Sequence, residues 1–289
     1  MDLIKLKNKI NRYSFKELLV IFDMRYGIGK LEELLSCNWF NPFATFWLNI
    51  RCLSVKQAIH FPIWVYGRPR FYSLSGKIII EKNLKTGMIK FNQVRSGSPC
   101  LQNLQSELGI LGKIVFSGKC IIGTGSRIFV DWNATLWLGN NIKITDMVNI
   151  GCLKSITIGS MSRITHRCQI MDSNYHYIAN FNKKIVPQQT KPIIIGNGCW
   201  IGNTTTITSG AKLPNYTIVG SNSLVNKSIN EVPESSIVGG IPAKLISSGY
   251  RKIENLDLER TIREYYAKSP DITFEMPEDI DMEQCSKIR

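Results

Sequence analysis

The sequence predicts a mainly β chain: short strands and tight turns stacked in register, with a helical or irregular N-terminal cap and a short C-terminal helix. Three observations carry that prediction. Between Pro192 and Asn230 an aliphatic residue recurs at every sixth position, at Ile195, Ile201, Ile207, Leu213, Val219 and Val225. Four residues after each of the first five stands a small one: Cys199, Thr205, Ala211, Thr217 and Ser223. Turn-forming residues fill the spaces between, with Gly196, Gly202 and Gly220 directly after the aliphatic and Asn197-Gly198, Asn203 and Asn222 beyond. A period of six is neither the helical 3.6 nor the strand alternation of two. It reads as one short strand plus one turn, with the aliphatic pointing into a core and the small residue tucked into the turn. Glycine and asparagine are expected to supply positive φ at the corners. One such unit cannot bury its apolar face alone, so the units must stack.

The elements follow in chain order. Residues 1–110 read as a cap and the strands leading into the stack. Phe15, Leu18, Leu19 and Phe22 lie at helical spacing, and Gly27 and Gly29 end that pattern. Trp39, Phe40, Phe43, Phe46, Trp47 and Leu48 follow, then the apolar run from Ile59 to Tyr66. Aromatics beside basic residues suit either a cap over the first coil, which a repeat core needs, or peripheral contact with an anionic membrane face. Ser75 to Met88 reads as strands. Residues 111–248 form the repeat proper. Upstream of the strict run the pattern persists less regularly through Ile122-Gly123, Leu138-Gly139, Ile144 and Ile150-Gly151. A two-residue slip then leads to Ile158-Gly159, Ile164 and Ile170. At 172–192 the pattern fails, and a long loop inside a compact repeat is usually functional. Residues 249–289 read as an amphipathic helix, Leu256 to Tyr266, and a mobile acidic tail.

Charge and cysteine usage narrow the function classes. The net charge is +14. It is concentrated in residues 1–95, with 16 basic and 6 acidic side chains, and it reverses after Gly249, with 7 basic and 10 acidic. A basic body favours anionic partners, but no nucleic-acid-binding motif is present, so nucleic acid is not expected. Eight cysteines occur without a Cys-x-x-Cys pair. That spacing speaks against a zinc ribbon or redox dithiol and reads as reduced, cytoplasmic thiols. The charged start lacks a signal-peptide core, and no apolar run is long enough to span a bilayer. The expected location is therefore cytoplasmic, either free or peripheral on the inner membrane face.

Four blocks carry a family resemblance: the repeats, Ile170-Met171-Asp172-Ser173-Asn174-Tyr175-His176, Cys199-Trp200-Ile201-Gly202, and Val238-Gly239-Gly240-Ile241-Pro242-Ala243-Lys244. In order and spacing the chain resembles the hexapeptide-repeat acyltransferases, and among them the bacterial sugar O-acetyltransferases that decorate capsule and lipopolysaccharide. The resemblance implies a left-handed parallel β-helix and a homotrimer. It implies acetyl-CoA as co-substrate in the groove between neighbouring subunits, a sugar or glycan acceptor, and no metal.

Acetyl transfer to a hydroxyl needs a base, and an imidazole can take the proton as the oxygen attacks the thioester. The resemblance assigns that role to His176 at the loop entrance. Of the other two histidines, His60 lies in an apolar stretch and reads as structural, while His166 reads as a surface or subunit-contact residue. Relatives often carry Asp-x-Asp-x-His. Here Asp172 remains and Asn174 replaces the second carboxylate, so either could order the loop or orient the imidazole. Asp172 reads equally well as a turn-forming residue. By the same resemblance Trp200 borders the acyl end of the cofactor groove. Asn203, Ser221 and Asn226 line the pantetheine arm, Lys227 and Lys244 face the nucleotide phosphates, and Asn149 contacts the acceptor. Plain turn residues, an interface tryptophan and solvated lysines are the plainer readings of these positions. Ser247 stands where some relatives have a second cation. Cys168 and Cys199 occupy the small, turn-packing position and are expected to be buried and inert, which favours direct attack in a ternary complex over an acyl-enzyme. Three rivals stay open. An N-acetyltransferase acting on an amino-sugar nucleotide changes only the acceptor. A zinc enzyme would need three converging histidines. A non-catalytic scaffold would not bind coenzyme A.

Overall fold

A computed structural model of the chain describes residues 39–94, 104–269, 273–278 and 280–286. The N-terminal stripe of Phe15, Leu18, Leu19 and Phe22 lies outside the described residues. The body winds as a left-handed parallel β-helix with three faces. The first sheet runs in space from Ile63–Val65 to Ser236–Gly239, the second from Arg70–Leu74 to Leu224–Val225, and the third from Lys77–Ile80 to Lys212–Leu213. Every pairing between successive coils is parallel. An antiparallel strand, Lys244–Ser248, folds back on Ser236–Gly239 at the C-terminal end.

The period of six is one side of this prism. Ile195 pairs with Leu213, Ile201 with Val219 and Ile207 with Val225, so three sixes close one coil and set each aliphatic above the one 18 residues on. These side chains are all but completely buried, with Ile201 and Ile207 at 0 % exposure. Stacked branched aliphatics fill the core of these coils, and burial of each contributes about 2 kcal/mol.

Three expectations need correction. First, the stack begins at Ile63, not near residue 111: Ile63 already pairs with Ile89, and Phe91 with Ile122. These first coils have sides of unequal length, so the ladder persists where the period of six does not. Second, Gly196 and Gly202 do not supply positive φ. A Cβ on either would stand 2.6–2.7 Å from backbone of the next coil, at Asn215 N and Ser221 N, so close stacking is what requires glycine there. Positive φ falls two residues later, at Gly198, Thr204, Tyr216 and Asn222, so of the glycines and asparagines named for the corners Gly198 and Asn222 do supply it. Third, the described part of the acidic tail packs back on the body. Helix α3 spans Leu256–Lys268 and α4 spans Met282–Ser286, after α1 (Pro42–Cys52) and α2 (Val55–Ala58) at the other end. Cys285 is buried, and its carbonyl accepts from the N–H groups of Glu254 and Asn255. Arg251 stacks 3.4 Å over the Tyr216 ring. Arg163, on the outer face of the first sheet, holds Glu254 at 2.7 Å with both side chains largely buried.

The N-terminal cap is specific. Asn41 caps α1 by accepting from the Ala44 N–H, with Pro42 in the first turn. Asn49 on the inner face of α1 donates to the Ile63 carbonyl and accepts from the Ile63 N–H, while Thr45 Oγ1 accepts from Val65 N. Side chains thereby satisfy the edge of the first strand, which would otherwise leave unpaired backbone groups.

Candidate functional site

The irregularities of the repeat gather at one corner. Between the second and third sheets, Ile207 to Leu213 is a plain six. The equivalent step Ile150 to Ile158 carries two extra residues, which is the slip seen in the sequence, and Ile128 to Leu138 one coil earlier carries four. At the same corner, between Gln169–Met171 and Ile193–Ile195, the chain leaves the stack altogether. The excursion has a stem and a tip. Ser173 bridges Thr190 at the stem, and Asn180 bridges Ile185 at the tip. Tyr177, Ile178, Phe181, Ile185 and Val186 are exposed along it.

Asp172 anchors the stem. Its carboxylate is fully buried and accepts from the backbone N–H groups of Leu153, Lys154 and Ser155 at 2.7–2.8 Å. Those donors line the same corner one coil earlier. Of the two roles open to Asp172, ordering the loop is the one its contacts fill: no hydrogen bond joins it, or Asn174, to His176 among the described residues. Tyr175 adopts a positive φ of 63° and donates its N–H to Ser173 Oγ. Its ring lies over Gly151, where a Cβ would stand 2.5 Å from the Tyr175 hydroxyl. Burial, followed by the negative charges of Asp172 and Asp131, pushes the Tyr175 phenol above its usual range.

This anchoring presents His176, exposed, at a cleft of about 320 Å³. Met171, Ser173, Asn174 and Ile178 line one side, Pro187, Gln188, Gln189 and Lys191 the returning limb, and Thr208 and Ser209 the next coil. A volume of this size suits a small-molecule group. Gln188, Gln189, Thr208 and Ser209 were not singled out from sequence. Thr208 pairs with Met171 across the ladder, but the excursion separates the two in sequence and hides that register.

The remaining candidates do not join this cleft within one chain. Asn149 lies on the second sheet in the row Arg127–Asn149–Gln169, beside the row through Gly151 and Met171. Trp200 stands half-exposed on the outer face of the first sheet, paired with Arg163. Asn203 and Ser221 sit at the corner between the first and second sheets, together with exposed His166. Asn226 and Lys227 follow Leu224–Val225, and Lys244 lies on the closing strand; all three are exposed. His176 and the Trp200–Asn203–Ser221 group therefore stand at opposite margins of the second sheet.

The two cysteines at the turn-packing position are buried as expected. Cys168 and Cys199 are at most 1 % exposed. Burial pushes the Cys168 thiol up and the Cys199 thiol up to about 12, so neither is a nucleophile near neutral pH. Among the described residues no three His, Cys, Asp or Glu side chains gather as a metal set would, and no described helix is long and apolar enough to cross a membrane.

No protein-family profile matches the chain. Among curated proteins it is 29 % identical over 143 residues to WbbJ of Escherichia coli K12, a protein named as a lipopolysaccharide biosynthesis O-acetyl transferase; the match spans 47 % of this chain and 71 % of WbbJ. It is 30 % identical over 169 residues to an uncharacterized 24.8 kDa protein in the cps region of Klebsiella pneumoniae, spanning 57 % of this chain and 69 % of the relative. The solved structure of the polysialic acid O-acetyltransferase OatWY overlaps 69 % of this chain and 100 % of its own at 20 % identity, with a TM-score of 0.48. In sequence the chain is thus similar to proteins named as acetyltransferases of bacterial surface-polysaccharide biosynthesis, and its stacked coils are the architecture that the family resemblance implies.

Proposed function

We propose that the chain transfers an acetyl group from acetyl-CoA to a hydroxyl of a sugar or of a surface-polysaccharide intermediate. The observation that carries this reading is His176, held by the Asp172 anchor at the mouth of the cleft and free of protein hydrogen-bond partners among the described residues. The imidazole takes the proton of the acceptor hydroxyl as its oxygen attacks the thioester carbonyl. The tetrahedral intermediate collapses with release of the coenzyme A thiolate, which receives that proton from the imidazolium. Asn174, Gln188, Gln189, Thr208 and Ser209 offer the mixed donors and acceptors that a sugar requires, and Asn149 extends the acceptor surface.

Acetyl-CoA is assigned to Trp200, Asn203, Ser221 and Asn226, with Lys227 and Lys244 toward its phosphates. Because Trp200, Asn203 and Ser221 lie across the second sheet from His176, while Asn226 and Lys227 lie at its own corner, the reading requires a neighbouring copy to bring the first group to His176, as in a homotrimer. The exposed apolar tip of the excursion suits that contact.

The test is thiol release from acetyl-CoA with a panel of sugars, amino sugars and nucleotide sugars, wild type beside His176→Ala. A loss of at least about 10²-fold with coenzyme A binding retained supports the base. Equal rates in both remove His176 from the reaction, and absence of coenzyme A binding in wild type removes the acyl transfer itself.

A further inference from the structure

Helix α1 is apolar on both sides. Its inner face, Thr45, Leu48, Asn49 and Cys52, is buried against the first coil. Its outer face, Phe43, Phe46, Trp47 and Ile50, recurs at helical spacing and is 48–84 % exposed. Val55 and Ile59, at 80 % and 62 %, carry the apolar surface through α2. A helix apolar all round requires cover on both sides, and a contiguous exposed patch of this kind marks an interaction surface.

The electrostatics select the partner. From residue 34 to residue 80 there is no Asp or Glu, while Arg51, Lys56, Arg68 and Lys77 fall in that stretch, together with Arg70, which is paired with Glu107. Between α1–α2 and the first coil lies an open cleft of about 440 Å³, rimmed by Arg51, Ser54, Gln57, Ser75 and Lys77. Bulky aromatics beside cations, with no acid among them, match an interface whose apolar layer lies under a sheet of phosphates. We infer that the outer face of α1 and α2 docks on an anionic phospholipid bilayer, with Phe43, Phe46, Trp47 and Ile50 entering the acyl boundary and Arg51, Lys56 and Lys77 meeting the headgroup phosphates. The cap of the β-helix is then also its membrane contact. This inference stands apart from the assignment of His176, which lies on the loop corner and not on the cap.

The experiment is co-sedimentation of the full chain with vesicles of phosphatidylcholine containing about 30 % phosphatidylglycerol, and with phosphatidylcholine alone. Wild type is expected to partition at least about tenfold more strongly to the anionic vesicles, and less so at about 0.5 M salt, where charges are screened. Phe46→Ser with Trp47→Ser should lose at least about tenfold of that binding with the circular dichroism spectrum unchanged. Arg51→Gln with Lys56→Gln, which leaves every apolar contact in place, should lose severalfold and decides the matter if the first variant misfolds. Binding of neither vesicle overturns the inference. So does equal binding by wild type and both variants, which would place lipid contact elsewhere in the chain. A fall in oligomeric mass in the apolar variant would show that a second copy covers this face, and overturns it too.

Discussion

The corner between the second and third sheets and the corner between the first and second are built from the same repeat and do different work. At the second of these, each coil turns with small residues and positive-φ positions such as Thr204 and Asn222, and the sides keep their length. At the first, the sides lengthen by two or four residues in earlier coils and by the whole of 172–192 in one. The ladders on either side do not notice: Ile170 still pairs with Ile150 and Ile207, and Ile195 with Ile158 and Leu213. Register in a parallel stack is set by inward aliphatics and backbone pairing, so a corner can extrude any length of chain without disturbing the core. Stability resides in the coils, and chemistry can be carried by the insertion.

That division can be broken from either side. His176→Ala should have the largest effect on rate, about 10²- to 10⁴-fold, while the melting temperature stays within about a degree or two because the residue is exposed; a large drop in melting temperature would mean the loop helps hold the coils. Ile207→Ala should do the reverse, costing about 3 kcal/mol in denaturant unfolding through the cavity it leaves, with the folded fraction still active.

Asp172→Ala joins the two regions. It leaves three backbone N–H groups without their acceptor, and should cost about 2 kcal/mol and lower the rate together; unchanged activity would show that the anchor does not position His176. Gly151→Ala should cost about 1 kcal/mol by displacing the Tyr175 hydroxyl. Adding Tyr175→Phe should restore part of that loss, because the hydroxyl is the atom in the way; no rescue would disprove the contact.

The smallest effect is expected at Cys199. Its thiol stays protonated in the fold up to about pH 12, so a thiol reagent at pH 8 should leave the Cys199 peptide unmodified in native protein and modify it in denaturant, read by peptide mass. The folded value lies above the ordinary thiol value. This contribution to stability is therefore whole below about pH 9 and declines from there toward pH 12, as the unfolded thiol ionises first.

Much of the stack was legible because its signal is local and repeated: Ile201 and Val219 show the same pattern in sequence that pairs them in space. The early coils were not, because Ile63 and Ile89 sit on sides of unequal length, and period-counting fails where only the ladder is conserved in space. His176 could be singled out because the family resemblance puts the base at the entrance of the loop where the repeat breaks. Gln188, Gln189, Thr208 and Ser209 could not, since nothing in their spacing shows that the returning limb and the next coil meet beneath the loop.

By itself, then, the sequence determined the side of the prism, the apolar column within it, the place of the insertion and the histidine at its entrance. All of these are properties of neighbours along the chain. Only the tertiary structure decided that Asp172 is committed to the N–H groups of residues 153–155, that the C-terminal segment is held to the first sheet through Arg163 and Glu254, and that α1 turns an apolar face outward. Each depends on which coil lies above which, and a buried carboxylate, a paired charge or an uncovered face takes its meaning from neighbours that are distant in sequence.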